Sequence, residues 1–246
     1  MLKKDSAICI RAFDYSETSQ IVTFFTRDGG KIDAIAKGSK RPKSSFDGPI
    51  EVFSHGRIVF ADSAKGKLAT LTEFEQQPSF AGLCSNLYVL NCVSLGAELV
   101  NSFTHEHDPH PELFESFLLF LDNCNQPANK PRDAMALLIL FELTLLKEAG
   151  FRPVIDSCVN CNSSFNPNWP DSYFSSAANG LICRDCESHF PDRMRLSEPV
   201  ANCLAKLKRI GDADKKVLLE IEKILIVHIT ELLGHPPKLA RYVLIF

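Results

Sequence analysis

Two cysteine pairs, Cys158-Val159-Asn160-Cys161 and Cys183-Arg184-Asp185-Cys186, decide how the C-terminal half of this chain can fold. Each Cys-x-x-Cys pair forms a turn that offers two thiolates to one tetrahedral ion, and a separation of this size is typical of a zinc ribbon. The 21 residues between the pairs contain prolines and glycine, which favour turns and short strands over a helix. We therefore predict a zinc ribbon over residues 154–191.

The predicted ligands are the thiolates of Cys158, Cys161, Cys183 and Cys186. Four thiolates fill the coordination sphere of one Zn²⁺ and leave no position for an activated water, so we expect a structural site. Two alternatives stay open: His189 could replace Cys186 as a ligand, and a Cys-x-x-Cys pair could serve redox chemistry. The other five cysteines are scattered among apolar neighbours, which favours core positions in a reducing compartment over a disulfide framework.

The composition is that of an ordinary globular protein, with 45% hydrophobic and 23% charged residues in a chain of 246. No apolar run reaches the roughly 18–20 residues that a membrane span needs. The first residues are too quickly charged to form a signal peptide. We therefore expect a cytoplasmic protein with no membrane partner.

The charge is unevenly distributed along the chain. The net charge is −3, but residues 1–78 carry 12 Lys and Arg against 10 Asp and Glu, which is +2 and leaves −5 for the remainder. Residues 27–45 contain six basic residues against Asp28 and Asp33. The distribution indicates an N-terminal surface suited to an anionic partner.

The first 78 residues read as short strands joined by turns. Ile21–Thr26 is β-branched and aromatic, Asp28-Gly29-Gly30 predicts a hairpin turn, and Lys31–Lys37 alternates between apolar and polar residues. Two further strands follow before residue 76. Five short strands predict a small barrel, and both an OB-type and an SH3-like barrel fit the pattern.

A basic loop, residues 37–46, interrupts these strands and contains four cations with no acid among them. Gly38 and Pro42 prevent regular strand pairing. The loop is either a solvated surface segment or a contact patch for a phosphate backbone, in which Phe46 stacks on a base.

Helical periodicity begins near residue 79, where Pro78-Ser79 offers a boundary and an N-cap. A helix apolar nearly all round, opening at Asp133 and ending at Gly150, is expected at the centre of a helical domain over residues 79–246. We interpret the histidine-rich segment 105–110 as a surface loop and not a metal site, because prolines flank His110. His228 lies on the apolar stripe of the last long helix and is expected to be a hydrogen-bonded core residue.

Sequence signatures of several enzyme classes are absent. The chain has no glycine-rich phosphate loop, no Gly-x-Ser-x-Gly elbow and no His-Glu-x-x-His motif. The residues therefore indicate none of these enzyme classes.

Together the motifs resemble the RecO family of recombination mediators. The resemblance lies in Asp28-Gly29-Gly30-Lys31 followed by residues 36–44, in Phe141–Pro153 leading into the first cysteine pair, and in the tail Leu239-Ala240-Arg241. The match runs essentially from end to end in the family's order. It departs from the family's pattern at Gln20, where a basic residue is common, and at Ala240, where serine is common.

The resemblance implies a fold and a function. It implies an α+β protein with an N-terminal OB-type DNA-binding barrel (residues 1–78) and a C-terminal helical domain (79–246) with the inserted ribbon. RecO proteins are not enzymes in the bond-making sense, so the resemblance implies that this chain is not one. They bind single- and double-stranded DNA and anneal complementary strands. They also engage the C-terminal tail of single-strand binding protein and act with RecR to load RecA. A nucleoid-associated cytoplasmic protein in recombinational repair of DNA damage is therefore expected.

Two sets of cations are assigned to partners as hypotheses. We expect Lys238 and Arg241 to bind the carboxylate-ending peptide of single-strand binding protein, because an arginine pairs with a carboxylate bidentately. The expected DNA-binding residues of the barrel are Arg27, Lys31, Lys37, Lys40, Arg41, Lys43 and Arg57.

The alternative function is a zinc-ribbon adaptor in transcription or on the ribosome, with a hydrolytic metalloenzyme as a more distant possibility.

Overall fold

The computed structural model describes residues 2–42, 44–46, 48–62, 67–77, 80–127, 130–167 and 169–245. The chain divides into two compact units, Met1–Gly82 with Ala97–Asn125, and Leu83–Gly96 with Gln126–Phe246. Lys43 and the predicted boundary at Pro78-Ser79 lie outside the described residues. The domain limits 1–78 and 79–246 therefore stay predictions.

The first unit is built on a closed five-stranded barrel. Its strands follow the order β1-β2-β3-β5-β4, and β4 pairs back with β1. The β3–β5 pair is parallel and the other pairs are antiparallel. This is the OB-type arrangement, so the structure confirms one of the two barrels that the strand pattern allowed. The strands are Leu2–Asp14 (β1), Gln20–Thr26 (β2), Gly30–Ala36 (β3), His55–Ala61 (β4) and Ala69–Gln76 (β5).

Alternation along the strands fills the barrel. In β3, Ile32, Ala34 and Ala36 are buried while the residues between them are partly exposed. Phe24 and Phe74 meet edge to face in the core, with ring centroids 5.3 Å apart. The predicted hairpin turn is confirmed, because β2 and β3 pair in register from Thr26–Gly30 onward.

Gly30 closes this hairpin for a steric reason. Its φ is +74°, a region that residues with a Cβ rarely adopt. A Cβ at this position would also lie 2.5 Å from the backbone of Asp108. Glycine therefore lets residues 105–110 pack against the barrel, where the N–H of Lys31 donates to the carbonyl of His105 at 3.4 Å.

In the described part of the chain, six α-helices follow the barrel. The N-cap predicted at Ser79 lies outside the described residues, and the first helix begins later than predicted. Asn86 starts it, since its side-chain oxygen accepts from the N–H groups of Tyr88 at 2.9 Å and Val89 at 3.3 Å. The helices are Leu87–Phe103 (α1), Pro111–Cys124 (α2), Pro131–Glu148 (α3), Glu198–Ala205 (α4), Lys215–Leu233 (α5) and Ala240–Val243 (α6).

Helix α3 is the centre of the second unit, as its composition predicted. It packs against α5, and its side chains are buried on nearly every face. Gly150, at φ +83°, follows its C-terminus. Asp214 is the N-cap of helix α5, since its carboxylate accepts from the N–H of Val217 at 2.9 Å.

The ribbon is inserted between α3 and α4, which confirms the predicted architecture. It contains a three-stranded antiparallel sheet in the order β7-β6-β8. The strands are Ser172–Ser175 (β6), Gly180–Cys183 (β7) and Met194–Leu196 (β8).

His228 is a core residue, as predicted, but it is not hydrogen-bonded. Its ring is fully buried and lies edge-on to Phe174 at 5.4 Å. Neither ring nitrogen has a hydrogen-bond partner among the described residues. Burial lowers the pKa of His228, so the imidazole is held neutral.

None of the helices in the described part of the chain is long and apolar enough to cross a lipid bilayer.

Candidate nucleic-acid interface and metal centre

The basic loop leaves the barrel directly after β3 and folds onto the β1–β2 hairpin. The N–H of Lys40 donates to the carbonyl of Thr18 at 3.2 Å, and the N–H of Gly38 donates to the hydroxyl of Ser19 at 3.2 Å. The N–H of Arg41 donates to the carbonyl of Gly38 at 3.0 Å. Gly38 permits this turn because its φ is +74°. Residues 38–41 of the loop therefore form a hydrogen-bonded turn.

The buried side chain of Gln20 supports the loop from below. Its Oε1 accepts from the hydroxyl of Ser39 at 2.9 Å and from the N–H of Ile50 at 2.9 Å. Its Nε2 donates to the carbonyl of Ile50 at 3.1 Å. Gln20, which stands where a basic residue is common in the family, thus links β2 to the loop through buried hydrogen bonds.

Three of the predicted DNA-binding cations are engaged within the protein. The guanidinium of Arg27 pairs with Glu115 at 2.8 Å and Asp28 at 3.5 Å. The ammonium of Lys40 pairs with Asp14 at 2.6 Å. The ammonium of Lys31 donates to the carbonyl of Asn101 at 2.7 Å, and burial lowers its pKa.

The other described members of the predicted set, Lys37, Arg41 and Arg57, are exposed. Within the described ranges, no ion pair is recorded for any of them. Lys43 lies outside the described residues. Sequence reasoning missed Arg11, which is exposed on β1, although its place in an alternating strand was a signal that it faces outward.

The prediction that Phe46 stacks on a base is wrong. Its side chain is 2% exposed and belongs to the core of the barrel. Its carbonyl accepts from the side chain of Gln76 at 2.9 Å. The loop's aromatic residue is buried because burial of a phenyl ring stabilises the barrel, whereas the polar Ser45 directly before it is exposed.

The four ribbon cysteines converge on one point. Their sulfurs all lie within 4.8 Å of one another, and the Cys161 and Cys183 sulfurs are 3.8 Å apart. A tetrahedral site with Zn–S bonds of about 2.3 Å has sulfurs about 3.8 Å apart. The cluster therefore fits one metal ion, and all four thiols are free of disulfides.

Backbone groups favour the thiolate form of Cys158, whereas burial raises the pKa of Cys183 to about 12. Burial raises the pKa of Cys158, but hydrogen bonds from the N–H groups of Cys161, Cys183 and Asn160 outweigh it and lower that pKa to about 7. The Nδ1 of His189 lies 3.2 Å from the carbonyl oxygen of Cys186. Among the described residues, the cysteine set is the one group arranged to hold a metal, and it does not include His189.

The predicted peptide-binding cations lie near the C-terminus. The guanidinium of Arg241 donates to the hydroxyl of Tyr242 at 2.7 Å and lies 4.7 Å from the centre of its ring. Lys238 is exposed. Both cations are thus on the surface, and Arg241 is oriented by its aromatic neighbour.

A groove of about 300 Å³ in the second unit is lined by residues other than the predicted Lys238 and Arg241. It combines apolar walls with cations, the composition that suits an acidic peptide with apolar side chains. Its residues come from α3 and from two separate later segments, so sequence proximity gave no signal. The lining includes Leu140, Leu143, Lys147, Arg152, Ile155 and Leu207.

Both halves of the chain match models of one protein family. The family model described as "Recombination protein O N terminal" matches residues 1–80, and "Recombination protein O C terminal" matches residues 84–241. A DNA repair protein RecO of Halalkalibacterium halodurans is 33% identical over 221 residues, covering 88% of this chain and 83% of the relative. The DNA repair protein RecO of Bacillus subtilis is 29% identical over 249 residues, covering 98% and 94%.

Proposed function

Because the chain belongs to the RecO family of DNA repair proteins, we propose that it is a DNA-binding recombination mediator that anneals complementary single strands. The observation that carries the proposal is the set of exposed cations on an OB-type barrel, with Lys37 and Arg41 on an ordered loop and Arg57 on β4. The proposed DNA substrate also places the protein in the cytoplasm, at the nucleoid.

Phosphate contacts explain how such a surface acts. A cation that replaces counterions on a phosphate binds DNA of any sequence and releases those ions into solution. Two strands whose charges are partly neutralised repel each other less, so a protein that holds both speeds their pairing. The proposed mechanism makes and breaks no covalent bond, and we propose a mediator that is not an enzyme.

The salt dependence of binding tests this interface. The double variant Lys37→Ala/Arg41→Ala is compared with wild type by fluorescence anisotropy on a single-stranded oligonucleotide from 50 to 300 mM salt. Loss of two phosphate contacts is expected to reduce the slope of log K against log salt by about 1.4. The matched control Lys206→Ala/Lys208→Ala removes the same charge from exposed residues of the second unit. Equal slopes in all three proteins would remove the basic loop from the interface.

An annealing assay tests the activity itself. Two complementary oligonucleotides, each carrying one fluorophore of a pair, are mixed with the protein without ATP. We expect faster pairing, and we expect it to persist when the strands are coated with single-strand binding protein. A zinc-ribbon adaptor in transcription or on the ribosome, the alternative that the ribbon suggests, would not accelerate pairing.

The proposed partners follow from the family. They are the C-terminal tail of single-strand binding protein, RecR, and through RecR the recombinase RecA. For the tail, two surfaces have the required chemistry: the predicted pair Lys238 and Arg241, and the groove that contains Lys147 and Arg152. Both offer cations to a peptide carboxylate.

We also propose that the cysteine cluster holds one structural Zn²⁺. The four thiolates supply the full tetrahedral set, which is typical of a site that organises a fold. The spacing of the sulfurs supports this assignment. Cys158, Cys161, Cys183 and Cys186 would then hold the ribbon segments together.

A further inference from the structure

Because Phe46 is buried, a ring that stacks on a base must be another aromatic side chain of the barrel. Two aromatic side chains of the barrel are exposed, Phe13 at 47% and Tyr15 at 64%. Phe13 lies near the end of β1, and Tyr15 lies in the turn that follows it. Both are close to the basic loop, because the ammonium of Lys40 pairs with Asp14, the residue between them.

Phe13 belongs to an apolar row across three strands. It pairs with Ile21 on β2, which pairs with Ile35 on β3. Residues in register share a face of the sheet, and this face points outward because Val22 and Ala34 on the same strands fill the core. Ile21 and Ile35 are partly exposed. The outer face of the barrel therefore carries an apolar stripe, the row Phe13–Ile21–Ile35, with the exposed phenyl ring of Phe13 at one end.

Charge surrounds this stripe on two sides. The next row of the same face begins with the exposed Arg11, which pairs with Thr23, and ends with Asp33, whose carboxylate accepts from the hydroxyl of Thr23 at 2.5 Å. At the other edge, β3 ends one residue after Ile35, and the exposed Lys37 follows. On the hairpin, Asp14 is neutralised by Lys40, and Glu17 is an exposed acid. Rings between cations are the combination that single-stranded nucleic acid needs.

We propose that Phe13 and Tyr15, with the row Phe13–Ile21–Ile35, form a base-stacking platform that makes the barrel select unpaired single strands. The inference rests on the proposed DNA-binding function and identifies its preferred substrate. Bases in a duplex are already stacked and present no free face, whereas bases of a single strand do. Phosphates of the bound strand contact Lys37 and Arg41.

The test compares single-stranded oligo-dT with a duplex of equal length at one salt concentration. Phe13→Ala/Tyr15→Ala is expected to weaken single-strand binding at least about ten-fold, the size of one or two lost stacking contacts. Duplex binding is expected to change less than about two-fold, and the salt slope to stay at the wild-type value, because no charge is removed. Phe13→Trp/Tyr15→Phe, which keeps both rings, is expected to retain wild-type affinity.

Leu2→Ala/Val52→Ala provides the matched control, since both side chains are exposed apolar groups of the same unit. Thermal melts show whether each variant is folded. Unchanged single-strand affinity in the alanine variant, or an equal loss on single strand and duplex, overturns the platform and points to a protein partner for the stripe. Absence of DNA binding in wild type would instead overturn the proposed function, so the two failures are distinguishable.

Discussion

Glu142 on α3 and Glu222 on α5 interact with each other through fully buried carboxyl groups in the core of the second unit. Neither carboxyl has a hydrogen-bond partner among the described residues. Burial, reinforced by the charge of its neighbour, raises the pKa of Glu142 well above its usual value. Burial raises the pKa of Glu222 to about 8. The pair therefore retains a proton at neutral pH.

This pair makes stability depend on pH in a defined direction. The folded-state pKa of Glu222 lies above the unfolded value of 4.5, so the folded protein binds the extra proton. The resulting stability is complete below pH 4.5 and is lost as pH rises towards 8, by up to about 1.4 kcal/mol per pH unit. Glu222→Gln removes this titration, and we expect its unfolding free energy at pH 8 to exceed wild type by about 2 kcal/mol.

Urea denaturation at pH 6, 7, 8 and 9 measures this effect. Glu231→Gln, an exposed position on the same helix, is the control and is expected to follow the wild-type curve. A wild-type unfolding free energy that does not fall between pH 6 and 8 would contradict the raised pKa of Glu222.

Gln20 is expected to matter more to the basic loop than its uncharged side chain suggests. Gln20→Ala leaves the N–H and carbonyl of Ile50 and the hydroxyl of Ser39 without their buried partner. We expect a loss of about 1–3 kcal/mol of stability. We also expect weaker DNA binding with an unchanged salt slope, because the cations remain but their loop is less ordered. Gln77→Ala, at an exposed position of the barrel, is the control. A variant as stable as wild type would refute this role.

Removal of the metal is expected to unfold the ribbon before the barrel. Cys161→Ser, or treatment with a strong chelator, should lower the melting temperature and expose residues 154–191 to limited proteolysis. Single-strand binding at low salt should fall less than about three-fold, because the proposed interface is on the barrel. Metal analysis should find one zinc per wild-type chain. Cys84→Ser, an exposed cysteine outside the cluster, is the control; a melting temperature unaffected by chelation would exclude a structural metal.

The two candidate surfaces for an acidic, carboxylate-ending peptide are separable. Arg241→Ala and Arg152→Ala are each titrated with a peptide of the tail of single-strand binding protein by calorimetry. The variant that removes the true partner of the carboxylate is expected to lose about ten-fold or more in affinity. Lys216→Ala removes a cation exposed elsewhere on the second unit and should bind as wild type does. Unchanged affinity in both arginine variants would exclude both surfaces.

Much of the fold is encoded in local sequence patterns. Period-two alternation with Asp28-Gly29-Gly30 gave the β2–β3 hairpin, and the composition of α3 gave its central position. The spacing of the cysteine pairs gave all four members of the metal cluster. These predictions hold because each depends on residues close in sequence, whose chemistry allows few alternatives.

Only the tertiary structure decided which side chains are paired or buried by segments distant in sequence. The sequence listed the barrel's cations, but only the fold tied Lys31 to the carbonyl of Asn101 and Arg27 to Glu115, each across about 70 to 90 positions. It placed Phe46 in the core, although its neighbours in sequence are polar. By itself the sequence determined most of the elements and the four cysteines of the cluster, since short-range geometry specifies both. The exposure of a side chain depends on which distant segment packs over it, so the choice of Phe13 and Tyr15 as the outward rings belongs to the closed barrel.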